Sequence, residues 1–249
     1  MHRVSRFPEP LKETLNRSTD WMFGVFSRGD ARYCPICTQT AQRFRSAHGR
    51  PEARCMHCGA LERHRFVWLY FQRRTDLFDR KPKTMLHIAP ERCMERRLRD
   101  LLGEQYLTAD VRSPRAMVQM DITQIQYPDA TFDIIYCSHV LEHVPDDRQA
   151  IREIYRVLKP GGWAILLVPI TAEHTIEDPT ITDPVKRREL FGQADHVRRY
   201  GPDYVDRLRS AGFHVEMSSI ADLCAHDTCR RMGLTPASGA MCYCAKSTV

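Results

Sequence analysis

Two stretches of this sequence bring chemistry-bearing side chains together at meaningful spacing. The first is Cys34-Pro-Ile-Cys37 and Cys55-Met-His-Cys58, two CxxC pairs separated by seventeen residues. Each pair turns two thiolates toward one point, and four soft ligands close a tetrahedron around zinc, leaving no position for a substrate. The pattern therefore predicts structural zinc on Cys34, Cys37, Cys55 and Cys58, with free or disulfide-bonded thiols as the alternative. His48, His57 and His64 lie nearby at less regular spacing and are left out of the ligand set. The second stretch is Ser138-His139-Val140-Leu141-Glu142-His143. On a helical turn His139, Glu142 and His143 share one face. A histidine titrating near neutrality suits a general base toward a hydroxyl or amine, which makes His139 the catalytic candidate. The same trio could bind a divalent cation, and Glu142 and His143 could equally serve only to fix the loop.

The elements that must position these groups are legible around them. Residues 132–137 form a short apolar run of the kind buried on both faces of a sheet, and Ser138, His139, Glu142 and His143 follow its C-terminal edge. A helix from Asp147 carries Ile151, Ile154, Tyr155 and Leu158 at helical spacing. Pro160-Gly161-Gly162 stops it before residues 163–168 re-enter the sheet. Upstream, the pattern predicts a strand at 84–89, a helix at 91–102 and strands at 105–109 and 116–120. Downstream it predicts a helix at 201–211 and strands at 213–218 and 241–245. Such alternation is expected of a parallel sheet, which binds ligands at its C-terminal edge. A helix at 61–78 is apolar nearly all round from Phe66 to Phe71, so it is expected to lie buried between the cysteine module and the main domain. Residues 171–200, rich in Pro, Asp, His and Arg, read as a long insertion after a strand end, of the kind that covers active sites.

The segment Phe-Asp-Ile-Ile-Tyr-Cys-Ser-His-Val-Leu-Glu-His-Val from Phe132, followed by a helix and Leu158-Lys-Pro-Gly-Gly162, resembles the class I S-adenosylmethionine (SAM) methyltransferases. The resemblance covers residues 84–249. It implies an α/β fold, a doubly wound seven-stranded Rossmann-like sheet with the last strand antiparallel, which the small N-terminal zinc module read from the cysteine spacing precedes. It places SAM over the end of the first strand, where the family has a glycine-rich loop. Here that loop is Met85-Leu-His-Ile-Ala-Pro-Glu-Arg-Cys93: His87 stands in the acidic position, and Ala89, Glu91 and Cys93 stand where the glycines belong. Ala89 is small enough to keep part of the close approach, and Glu91 at a helix start could meet the methionine ammonium. The resemblance further implies Asp110 on the ribose hydroxyls, Asp121 near the adenine amino group, Ile122 against the ring, and Ser138 beside the reacting end. A Glu-x-x-Glu-His segment comparable to the one here occurs in the ubiquinone-pathway O-methyltransferases, with His139 in place of the first Glu. Asp195-His-Val-Arg-Arg-Tyr200 resembles a segment of related methyltransferases that folds over the substrate, so His196, Arg198 and Tyr200, with His143, are expected to bind substrate or to anchor a lid.

The bulk composition agrees with this division. With 249 residues and 43% hydrophobic content the chain can bury a full core beside a small module. The expected domains are an extension at 1–31 with a weak helical pattern through Leu11, Leu15, Trp21 and Phe23, a zinc module with its helix at 32–80, and a methyltransferase domain at 81–249. No apolar run suits a secretory signal or a membrane span, so a cytoplasmic protein with reduced cysteines is expected. Of the other six of its ten cysteines, Cys93 and Cys137 fall at strand edges, and Cys224, Cys229, Cys242 and Cys244 read as buried and unligated or as a second metal site. Net charge is +6, and residues 42–74 hold eight Arg against two Glu. That run is an ordinary solvated surface or a docking face for phosphate. Three functions stay open: methyl transfer to an oxygen or nitrogen of a small molecule or sugar, nucleic-acid binding or RNA modification through the zinc module, and a non-catalytic binding role on a decayed fold.

Overall fold

The computed structural model describes residues 29–235 and 241–246. The helical pattern expected from Leu11 to Phe23 lies outside the described residues. The chain opens with two small antiparallel hairpins, β1 (Arg32–Tyr33) with β2 (Thr40–Ala41) and β3 (Arg45–Ala47) with β4 (Arg50–Arg54). Helix α1 (Glu62–Arg74) follows. It stops four residues short of the expected end, because Thr75 turns extended and its hydroxyl donates to the Phe71 carbonyl.

The main sheet then builds from β5 (Met85–Ile88), α2 (Arg92–Leu102), β6 (Tyr106–Asp110), β7 (Val118–Gln119), β8 (Phe132–Ser138), α3 (Asp147–Val157) and β9 (Leu158–Leu167). The insertion contributes β10 (Ile176–Glu177), α4 (Pro184–Phe191) and β11 (Arg198–Arg199), and the chain ends through α5 (Tyr204–Ser210), β12 (Phe213–Ser218), α6 (Ile220–Leu223), α7 (His226–Arg231) and β13 (Met241–Lys246). The seven strands lie in the order β12-β13-β9-β8-β5-β6-β7, and β13 runs antiparallel to both neighbours while the rest are parallel. This is the mixed Rossmann-like sheet the sequence led us to expect. From central β5 the chain winds one way to β6 and β7, then the other way to β8 and β9, which leaves a crevice at the C-terminal ends of β5 and β8.

Strand alternation gives the sheet two apolar faces. Met85, Tyr106, Ile134 and Tyr136 join one core with α1 and α2, where the Phe71 ring lies 5.5 Å from Tyr136 and 5.9 Å from Trp163. Leu86, Ile88, Ala109, Ile135 and Cys137 join the other, under Ile151 and Ile154 of α3 and Tyr204 and Leu208 of α5. The Trp163 indole donates to Asp76 at 2.8 Å, tying the exit from α1 to the sheet. β9 begins at Leu158, not at 163, with a register irregularity opposite Phe132 to Ile134 where Pro160-Gly161-Gly162 bulges. A Cβ on Gly162 would come within 2.7 Å of the Asp133 carbonyl oxygen, so only glycine fits.

Arg65 locks the cysteine module to the rest. Its side chain is fully buried, stacks 4.3 Å from the Phe44 ring, and donates to the carbonyls of Ala53, Ala60, Met232 and Gly233. Cys224 and Cys229 form a disulfide, which replaces the expected unligated thiols or second metal site.

Candidate functional site: a cofactor cleft and a thiolate cluster

A cleft of about 370 Å³ opens at the crevice, lined by Ile88, Ala89, Asp110, Asp121, Ile122 and His143 among others. Asp110 closes β6; its Oδ1 accepts the amides of Arg112 and Ser113 at 2.7 Å each, which orients the carboxylate and leaves Oδ2 for a ligand hydroxyl. Asp121 is fixed in the same way, Oδ1 accepting both the amide and the hydroxyl of Thr123 at 2.8 Å. Ile122 is buried against the cleft wall. Ala89 takes the left-handed backbone, φ 49°, that the glycine of a cofactor loop would adopt, and its amide is held by the Ala109 carbonyl at 2.8 Å. These four residues thus fit a nucleoside whose attached chain passes close to the backbone at the end of β5.

His87 and Glu91, expected on the cofactor, line the opposite side of the sheet. With a side-chain period of two, Leu86 and Ile88 face the α3 core, so His87 faces α1. There it is fully buried, Nδ1 2.7 Å from the Tyr106 hydroxyl and Nε2 2.8 Å from Glu91 Oε2. Tyr136 donates to Glu91 Oε1 at 3.2 Å, and His64 Nε2 lies 3.7 Å from the same oxygen. Burial alone would raise the Glu91 carboxyl, but the hydrogen bond and charge of His87 hold it down to about 2. Cys93 packs here too, its sulfur 3.2 Å from His64 Nδ1, and burial pushes its thiol up. Glu91 and Cys93 therefore fill a pocket behind the loop, while Ala89 lines the cleft.

At the end of β8, Ser138 is buried with its Oγ unpartnered among the described residues. His139 also takes a left-handed backbone, φ 56°, with its amide bound to the Leu167 carbonyl, and its Nδ1 lies 3.3 Å from Glu142 Oε1. His143 reaches the cleft rim. Val140, Val144, Pro145 and Asp146 complete this wall; the sequence reading missed them, although their place directly after a strand end was the signal that could have found them.

The insertion closes on itself through Thr171 and Ala172, whose amides both donate to the Tyr200 carbonyl, and through antiparallel pairing of β10 with β11. Its amide at Val197 donates to the Glu142 carbonyl at 2.9 Å, so it is bound to the turn after β8. Of the two alternatives for Arg198 and Tyr200, substrate contact or anchoring of the insertion, their contacts are those of interior anchors. Arg198 is 3% exposed and donates to the carbonyls of Leu141, Val144 and Pro145 and to Glu177. Tyr200 is wholly buried and donates to Asp147 at 2.6 Å, where Arg207 also binds at 2.9 Å. Their donors are occupied because the first turn of α3, with Asp147 buried, needs counter-charge. His196 is buried as well, with one ring nitrogen 3.1 Å from the Phe191 carbonyl oxygen.

The sulfurs of Cys34, Cys37, Cys55 and Cys58 lie within 4.8 Å of one another. The two knuckles share one geometry. The amides of Thr38 and Gly59 donate to the carbonyls of Cys34 and Cys55, and those of Cys34 and Cys55 donate to Gln39 and Ala60. Thr38 and Gly59 both take the left-handed backbone, φ 60° and 75°. Hydrogen bonding within the quartet, from Cys34 foremost, lowers the Cys37 and Cys55 thiols, while the same sharing raises Cys34 and Cys58. Four sulfurs converging in this geometry fit a tetrahedral soft-metal site.

Residues 83–166, about a third of the chain, match the family profile described as "Methyltransferase domain". The profile stops well short of residue 249; beyond it the fold follows from the sheet order. The 27-O-demethylrifamycin SV methyltransferase of Amycolatopsis mediterranei is 40% identical over 121 residues, 43% of this chain and 39% of that protein. A ubiquinone/menaquinone biosynthesis C-methyltransferase of Pseudoalteromonas translucida is 41% identical over 59 residues, 24% of each. The matched stretches span less than half the length of these relatives. Among solved structures, a SAM dependent methyltransferase from Archaeoglobus fulgidus superposes with a TM-score of 0.47 and 15% identity over 73% of this chain and 93% of that one. Among the described residues, no helix is long and apolar enough to cross a membrane.

Proposed function

We propose that this protein transfers a methyl group from SAM to an oxygen or nitrogen of a small molecule or sugar. The observation that carries the reading is the cleft at the crevice of the sheet, where Asp110, Asp121, Ile122 and Ala89 meet in the order a nucleoside-linked amino acid requires. When bound, the cofactor supplies an electrophilic methyl group. His139 would take the proton from the oxygen or nitrogen of the acceptor. Glu142 lies beside it, Oε1 3.3 Å from Nδ1, and alignment of the acceptor would supply most of the rate. His143 at the rim is the remaining candidate for substrate contact.

Zinc on the four cysteines would be structural, in a module spanning residues 32–80 that precedes a methyltransferase domain at 81–249 with its lid at 171–200. A cytoplasmic setting suits the four thiols. A nucleic-acid role or a decayed cofactor site are the competing readings, and two binding measurements separate the three. Titration calorimetry is expected to show saturable SAM binding, weakened about tenfold or more in Asp110→Ala by loss of a charge-assisted hydrogen bond. Absence of binding at millimolar SAM overturns the proposal, and steeply salt-dependent binding of polynucleotide in its place favours the nucleic-acid reading.

A further inference from the structure

Three ligand-type side chains meet where the insertion joins the turn after β8. Glu142 and His143 come from the turn after β8, and His196 comes from just before β11. One ligating atom from each lies within 4.8 Å of the others. Glu142 is 1% exposed; Oε1 faces His139, and Oε2 has no hydrogen-bond partner among the described residues. His196 is 6% exposed. Its Nδ1 is directed at the Phe191 carbonyl, which fixes the proton there and leaves Nε2 as a buried lone pair, again without a partner.

A carboxylate oxygen and an imine nitrogen are both acceptors, so neither can satisfy the other. Leaving both buried and unmatched is costly, and a cation between them removes the cost for both. His143 is arranged in the same sense. Its Nδ1 lies 3.4 Å from both the Asp195 carbonyl and the Asp195 carboxylate, and its ring packs edge-on to His196 with centroids 4.7 Å apart. Two imidazoles whose outer nitrogens are directed at carbonyl or carboxylate oxygens, with the inner nitrogens free, reproduce the outer-shell arrangement that orients histidines on metals. The Val197 amide on the Glu142 carbonyl clamps the two segments that supply them.

We propose that Glu142, His143 and His196 form a mononuclear site for a divalent transition metal, separate from the thiolate quartet. Two imidazoles and one carboxylate are borderline ligands that suit manganese, iron or zinc and leave coordination positions open. Because His143 also lines the cleft, the open side adjoins the place where an acceptor would sit, and an oxygen or nitrogen of that acceptor could occupy it. This use of the metal rests on the methyl-transfer reading; metal binding itself does not.

The test is Mn(II) titration of the full chain after its zinc content has been measured, followed by the loss of the free-ion paramagnetic resonance signal. Thiolates select softer metals, so the quartet stays silent to this probe. Expected is one equivalent of Mn(II) bound, weakened about tenfold or more in Glu142→Gln and in His196→Gln. If zinc already fills the site, the wild type carries two zinc ions and Glu142→Gln carries one. His143→Gln, at a partly exposed position, provides a variant whose folding is less at risk, with circular dichroism as the check. No binding at millimolar Mn(II) together with a single zinc overturns the proposal, as does binding that none of the three substitutions changes. SAM affinity measured on the same samples keeps a failure of this site distinct from a failure of the cofactor reading.

Discussion

His64 illustrates how a residue that looked marginal acquires a defined electrostatic role. Burial lowers its pKa to about 4, with the Glu91 charge opposing that shift. The unfolded chain therefore binds a proton that the folded chain refuses between about pH 6.5 and pH 4. The associated stability is fully present above that window and is lost as pH falls through it. Chemical denaturation across the window is expected to show a slope approaching about 1.4 kcal/mol per pH unit from this group, and His64→Gln should remove that contribution. An unchanged slope in the variant would show that His64 is not the group responsible. The sequence displayed His87 and Glu91 as departures from a glycine loop, and their direction was also open to inference. Alternation along Met85 to Ile88 already turns His87 away from Ile88. What the residues alone could not give was the identity of the partners, because Tyr106, Tyr136 and His64 arrive from three other elements.

At the scale of elements, the insertion is held to the sheet by ion pairs rather than by an extensive apolar face. Arg198 and Arg207 bracket Asp147 and Glu177, and the hydrogen bond from Arg207 leads in holding the Glu177 carboxyl down to about 2. Removing one member of a buried ionic group leaves the others uncompensated. Arg198→Ala is therefore expected to cost about 3 kcal/mol or more in urea unfolding. A loss under about 1 kcal/mol would mean that the insertion is anchored elsewhere. Periodicity exposed the strands and helices of the main sheet because their burial repeats every two or 3.6 residues. It could not expose this insertion, whose order depends on side chains such as Arg198 and Asp147 that are far apart in sequence. The same limit applied to His196, which meets Glu142 only through the folded chain.

For the whole molecule, the cysteine module and the sheet are mechanically joined. The strands of the module are two to five residues long and have little apolar interior of their own, so the thiolate cluster substitutes for a core. Arg65 bonds the module's Ala53 and Ala60 on one side and Met232 and Gly233 on the other. Removing metal with a strong chelator is therefore expected to lower the melting temperature of the entire chain in a single transition. Separate transitions, with the sheet's midpoint unchanged, would show that the module is only tethered. The CxxC spacing announced the cluster, and the all-round apolar helix announced its neighbour. The arginine that joins them was visible only as one of eight in a basic run, because nothing local distinguishes a buried guanidinium from a solvated one.

The indole of Trp163 sits at this junction, packed near Phe71 and donating to Asp76. The chain thereby carries a native optical sensor of whether α1 is seated on the sheet. Separation would expose the ring to water and break its bond to Asp76, so the share of Trp163 in the emission of the three tryptophans would shift to the red on release of the module, without any attached label.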